Sequence, residues 1–204
     1  MISEIDLKDR LADALEKGMT YKTYRKLIDD LMAEGQSTGH TQNEDMLNYS
    51  NLSVRRMKRW DKTFKLSPEA KTFLENYEKS VNFLVITEGW CGDAAHANPI
   101  LNKIVETAPN LQMKFVLRDD NDDLISEFLT NGGKSIPKLI ALDQEQKVLF
   151  TWGPRPTEAT NLVDDYKLKH GQLTPEFKED LQKWYNKDKG QNIVKDIIAL
   201  LSEV

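Results

Sequence analysis

Cysteine is almost missing from this chain: Cys91 is the only one in 204 residues. A lone thiol cannot close an internal disulfide, and its persistence as a free thiol fits a reducing compartment, so a cytoplasmic setting is expected. Long apolar runs are also missing. No stretch approaches the roughly 18 uninterrupted apolar residues of a membrane span, and the charged, amphipathic opening "MISEIDLKDRLADALEKG" carries no signal-peptide pattern. A basic excess is missing too. Twenty-eight Lys and Arg face 33 Asp and Glu, a net charge of −5. Residues 1–80 are balanced at 14 of each sign, so the acidic surplus lies wholly in the remainder, with 14 against 19. Nucleic acid is therefore a poor candidate ligand, and no membrane partner is expected.

What is present divides into two patterns. Residues 1–80 read as helices throughout, with apolar positions at helical spacing in "SEIDLKDRLADALEKG" and "TYKTYRKLIDDLMAEG", each ending on a glycine. A third helix is expected over roughly 44–64, and a fourth in "SPEAKTFLENYEKS", with Ser67 as N-cap and Pro68 opening the first turn. From residue 81 strand-length runs alternate with helices. "NFLVIT" precedes a helix from about Cys91 to Thr107, "MKFVLR" precedes the helix "DDLISEFLTNGG", and "PKLIALD" and "KVLFTW" follow, separated only by "QEQ". Strands separated by helices should run parallel, while the close pair should be an antiparallel hairpin. Three more helices end the chain. The reading is a helical extension over 1–80 packed on an α/β domain over 81–204, a small mixed central sheet with helices on both faces and extra C-terminal helices.

The cysteine lies in "LVITEGWCGDAAHANP", residues 84–99. Trp90-Cys91-Gly92 falls at a strand-to-helix junction, which puts Cys91 at a helix N-terminus. Unpaired backbone N–H groups and the helix dipole favour a thiolate there. Asp93 opposes this as a nearby negative charge, or else serves the first helical turn. A cysteine that merely packs would sit inside an apolar run; this one follows Thr-Glu-Gly and precedes Gly-Asp.

Four markers in order give the region from 81 to about 165 a family likeness: "WCGDA" at 90–94, Pro99 eight residues past the cysteine, "SIPK" at 135–138 before the hairpin, and "WGPRP" at 152–156 after it. They resemble the thioredoxin superfamily, with its Trp-Cys-Gly-Pro-Cys corner, helix-bending proline, cis-proline and late glycine. The resemblance implies a thioredoxin-like fold and a substrate groove formed by Trp90, Gly92, Asp93, Ile136 and Pro137. Backbone beside Pro137 would pair with an extended substrate, and Trp90 would form the apolar rim. Two departures limit what carries over. Ala94 replaces the second cysteine of the family's pair, and Val85 stands where the family keeps a buried acid, so this chain cannot run a dithiol–disulfide cycle alone.

Other signals are weaker. "NGGKS" at 131–135 lacks the upstream glycine and following helix of a phosphate loop, and "DDNDD" at 119–123 lacks the turn glycine and late bidentate acid of a calcium loop. His40, His96 and His170 share no metal-ligand spacing, so neither metal nor cofactor is expected. His96, five residues past Cys91, points about 140° away from it and is read as a surface or groove residue. "VRRMKRWDKTFK" at 54–65 carries six bases and one acid around Met57, Trp60 and Phe64, a buried stripe with a wet basic face, or a basic rim near Cys91.

Two functions remain. In the first, Cys91 is the catalytic residue of a monothiol thiol–disulfide oxidoreductase. It attacks a disulfide or mixed-disulfide substrate, of a protein or a low-molecular-weight thiol, and is released by an external thiol reductant. In the second, the groove beside Pro137 holds a peptide or partner protein without redox turnover. Retention of the Trp-Cys-Gly corner tilts the expectation toward the enzyme.

Overall fold

The structure, a computed structural model, describes residues 4–204. The order is α1 (Glu4–Lys17), α2 (Tyr21–Ala33), α3 (Glu44–Thr63), α4 (Pro68–Glu75), β1 (Val81–Thr87), α5 (Gly92–Thr107), β2 (Leu111–Leu117), α6 (Asp122–Ser126), β3 (Lys138–Leu142), β4 (Val148–Trp152), α7 (Thr157–His170), α8 (Pro175–Asp188) and α9 (Gln191–Ser202). Helix starts follow their caps: Thr20, Asn43, Ser67 and Thr174 each accept a hydrogen bond from the backbone N–H three residues on. Pro68 and Pro175 occupy first-turn positions, where a missing N–H costs nothing.

The four strands form one mixed sheet in the order β2-β1-β3-β4. β1 and β2 are parallel, as the intervening helix requires, and β3–β4 is the antiparallel hairpin the short turn demands. β3 follows a helix too, yet it runs antiparallel to β1, against the expectation that strands separated by helices are parallel. Alternation along β1 sorts the core. Val81, Phe83 and Val85 enter one cluster with residues of α2, α3, α4, α5 and α9, while Leu84 and Ile86 enter a second with Leu11 of α1 and Leu124 and Ile125 of α6. The sheet is thus covered on both faces, and among the described residues no helix is long and apolar enough to cross a membrane.

One element is shorter than its sequence pattern. "DDLISEFLTNGG" reads as a helix stopped by glycine, but α6 spans five residues. Asn131 and Gly132 both take positive φ, 51° and 76°, and Thr130 and Gly133 exchange backbone hydrogen bonds across them. Asn-Gly is the preferred pair for such a tight turn, and the turn overrides the helical pattern before it.

Candidate functional site

The junction of β1 with α5 brings together the residues of "TEGWCGDA". Cys91 is the N-cap of α5, and the Ala94 N–H points at its sulfur at 3.5 Å. The thiol donates in turn to the Ile136 carbonyl at 3.3 Å, which ties the junction to the segment before β3. The Ile136–Pro137 peptide bond is cis, as the family resemblance implies, and so is Gly153–Pro154, which no motif anticipates. Cys91, Ile136 and Pro137 are therefore neighbours. Trp90 lies half-buried beside them, with the Arg118 guanidinium 5.0 Å from its ring centre.

Electrostatics at the thiol run against activation. Cys91 is only 8% exposed. Burial, and then the charge of Asp93, push its pKa up to about 12, outweighing the N–H groups of the first helical turn and Arg155. Of the two roles open to Asp93, repulsion of a thiolate is real, and its carboxylate is also heavily used. It meets Arg155 Nη2 at 2.8 Å and accepts the Tyr185 hydroxyl at 2.9 Å. Burial raises the Asp93 pKa, while Arg155 and Tyr185 act in the opposite direction.

His96 is not a surface residue. It is 1% exposed and forms the middle of a buried network. The Trp60 indole N–H, which can only donate, gives its hydrogen to His96 Nδ1 at 2.9 Å. The other ring nitrogen, Nε2, must therefore carry the proton and donate to Gln182 Oε1, 2.8 Å away. The imidazole lies parallel to the Tyr185 ring, 4.2 Å between centres and 4° between planes. Burial lowers its pKa to about 3, so it is neutral at any physiological pH. The direction expected from helix geometry, away from Cys91, holds; what fills that direction is the underside of α8.

The basic helix also reaches the site. Met57 and Trp60 are buried as the stripe predicts. Arg56 Nη1 lies 3.2 Å from where a β-carbon on Gly92 would stand, so one guanidinium borders the start of α5. The loop after α2 meets the junction at Thr38, whose Oγ1 accepts the Gly89 N–H at 2.7 Å, and α3 meets it at Ser53, whose Oγ donates to the Cys91 carbonyl at 3.5 Å. At Gly39, φ is +83° and a side chain would meet Asp119 Oδ2 at 2.6 Å and the Trp90 indole nitrogen at 3.2 Å, so only glycine fits this crossing.

The family's buried acid position is Val85, wholly apolar in its surroundings. A buried acid does occur three residues later: Glu88 is 0% exposed, accepts the Asp119 N–H at 3.0 Å, and has its pKa raised chiefly by burial. Glu88, Arg155, Tyr185 and Gln182 were not singled out from sequence. Arg155 lay inside the noted "WGPRP", and Glu88 inside the noted "TEGW"; Tyr185 and Gln182 gave no signal beyond a helical pattern. Among the described residues no group of histidine, cysteine, aspartate and glutamate side chains is arranged to hold a metal ion.

Comparison with known proteins bears on this arrangement. A family model described as thioredoxin matches residues 39–167, more than half of the chain. A crystal structure of a protein of unknown function from Pseudomonas aeruginosa is similar over 100% of this chain and 99% of its own, with a TM-score of 0.63 and 16% identity. An HIV epitope scaffold is similar over 95% of this chain and 98% of its own, with a TM-score of 0.64 and 16% identity. At that identity these two share the fold only. No curated protein matches the sequence.

Proposed function

On the premise that this chain belongs to the thioredoxin family, we propose that it is a binding protein of that fold. Its groove beside Pro137 holds an extended stretch of a partner polypeptide, and Cys91 lines that groove as a protonated thiol. One observation carries the reading: the buried Cys91 sulfur donates its proton to the Ile136 carbonyl at 3.3 Å, with the Asp93 carboxylate beside it opposing ionisation. The Ile136 N–H donates to no group among the described residues, and it is the donor an incoming strand would use. Residues 1–80 act in this reading as an extension packed on the domain at 81–204, and the free thiol fits work in the cytoplasm.

A monothiol exchange reaction is the second reading, favoured by the N-cap position of Cys91 and the Ala94 N–H aimed at its sulfur. The Cys91 thiol would first lose its proton to solvent base. Its thiolate would then attack one sulfur of a substrate disulfide, forming a mixed disulfide and expelling the other sulfur as a thiolate. The thiolate of an external thiol would attack the substrate sulfur of the mixed disulfide, forming a new disulfide with it and expelling the Cys91 thiolate, which takes up a proton.

The pH dependence of iodoacetamide alkylation at Cys91, followed by intact mass, separates the two. For the binding protein, labelling is negligible at pH 7–8 and rises only in strong base. A midpoint below the free-thiol value of about 8.5 overturns that reading in favour of exchange. Extended peptides selected from a library against the wild-type protein should also bind Cys91→Ala unchanged.

A further inference from the structure

Between the ends of α3 and α8 lies a cavity of about 420 Å³ that the site around Cys91 does not use. Arg59, Lys65 and Lys189 supply its charge, Trp60 and Phe64 its apolar floor, and Asn186 a carboxamide; none of the lining residues is acidic. Arg59 lies over the Trp60 ring, 4.5 Å from its centre, and one of its terminal nitrogens donates to Asn186. Its remaining N–H groups are free to grip an anion in the forked manner of a guanidinium. Lys65 and Lys189 make no side-chain hydrogen bond or ion pair among the described residues.

Cations near helix C-termini are favourable in any case, since they complement the backbone dipole. That accounts for a positive charge after α3 and after α8, but not for the residue chosen at the second corner. Lys189 takes a left-handed conformation, φ 55° and ψ 31°, where glycine or asparagine is the usual occupant. The corner itself is enforced by Gly190, whose φ is +77° and where a β-carbon would strike Ile100 Cδ1 at 2.2 Å. A lysine held against its backbone preference, converging with Arg59 and Lys65 on one cavity, points to a use for the side chain.

We propose that this cavity binds a small phosphorylated ligand carrying at least two negative charges. Phosphate oxygens fit the donors present: one guanidinium fork, two ammonium groups and an amide, with apolar floor for the body of the ligand. The nearest acid along the chain, Asp188, is occupied in accepting from Asn192 and does not face the cavity. Asn186 adjoins Tyr185, whose hydroxyl holds Asp93, so the seat lies one residue along α8 from a contact with the Cys91 site.

Inorganic pyrophosphate is the probe, titrated calorimetrically into the full chain at ionic strength fixed with sodium chloride. Saturable 1:1 binding tighter than about 1 mM is expected, weakened at least about tenfold in Lys65→Gln/Lys189→Gln. Both lysines are exposed, so that variant keeps its fold, which its melting curve checks. Lys189→Gly gives an independent reading: it should weaken binding while raising the melting temperature, since it relieves the left-handed residue. Absence of saturable binding, or affinity unchanged in the double variant, overturns the proposal.

Discussion

The helices before the sheet and the helical hairpin after it are attached to the domain in different ways. Tyr24, Ile28, Val54, Met57 and Leu74 of α2, α3 and α4 belong to the same apolar cluster as Phe83 and Val85 of the central strand. The hairpin α7–α8 keeps a small cluster of its own, Ala159, Val163, Leu181 and Tyr185. It reaches the rest where α7 meets α9, with the Thr157 N–H donating to Asp196, where the Tyr185 ring stacks on His96, and through polar contacts: Arg155, just before α7, to Asp93, Tyr185 to Asp93, Gln182 to His96 and Arg59 to Asn186. Apolar burial is non-directional and persists over a wide pH range, whereas these contacts depend on charge state and geometry. The first set of helices is part of the wall of the domain. The second is a cover fastened to Asp93 and His96 of α5, and its fastening is conditional.

The largest effect that would break this comparison is a large-to-small change in each part. Met57→Ala should cost about 3 kcal/mol of global stability, read by urea unfolding, because it opens a void in the shared core. Leu181→Ala removes a comparable side chain from the satellite cluster. It should leave the global midpoint nearly unchanged while amides of α8 lose protection in native-state hydrogen exchange. Equal global losses from the two variants would show a single cooperative unit instead.

Asp93→Asn addresses the fastening directly. It leaves Arg155 half-buried without its partner carboxylate and should cost about 2 kcal/mol, with α8 amides exchanging faster. The same change removes the negative charge that opposes ionisation of Cys91, so the alkylation midpoint should fall. A midpoint that stays in place would mean burial alone holds the thiol protonated, and Asp93 serves only the cover.

The third effect is absent at neutral pH and appears only in acid. His96 is neutral in the fold, its pKa lowered to about 3 from 6.5, so the unfolded chain binds its proton first. Stability from this residue is complete above pH 6.5 and is lost as pH falls toward about 3. The loss approaches ~1.4 kcal/mol per pH unit. Protonation at Nδ1 also ends the Trp60 hydrogen bond. The groups facing the ring are Arg56 and Arg59 of α3, both of which disfavour its charge, and Gln182 and Tyr185 of α8. His96→Gln, which can still accept from Trp60, should flatten the acid limb of a stability-against-pH curve; an unchanged limb would exclude His96 as its source.

How much of this was legible beforehand follows from sequence distance. The junction at Cys91, the proline before β3 and the alternation of strands and helices are local patterns, and local patterns survive folding. The partners of Asp93 and His96 are not local: Tyr185 lies 92 residues beyond the first, and Gln182 lies 86 beyond the second. Trp60 reads as one apolar position in a basic helix, and nothing in its spacing says that its indole N–H fixes a tautomer on another helix. The expected surface histidine failed for the same reason. Helix geometry gives the direction of a side chain, but not which later element will come to cover it. The Asn131-Gly132 turn is a different failure, since its signal was present and was absorbed into a helix stop.

The smallest effect expected belongs to the residue that drew attention first. Cys91→Ala should cost below ~1 kcal/mol at neutral pH, because it removes a weak thiol hydrogen bond to Ile136, a long contact from the Ala94 N–H and one sulfur's packing. Its trace should appear in base. The folded thiol holds its proton to about 12 against an ordinary 9.0, so its contribution is complete below pH 9.0 and is lost as pH rises toward about 12. Tyr24, buried with its pKa also raised, adds an alkaline loss of the same sign, so the measurement is the difference between wild type and Cys91→Ala over pH 8 to 11. A gap that narrows with rising pH is expected. A constant gap would mean that the thiol ionises in the fold as it does in water, and the junction would then be open to solvent in a way that the cover over α5 does not allow.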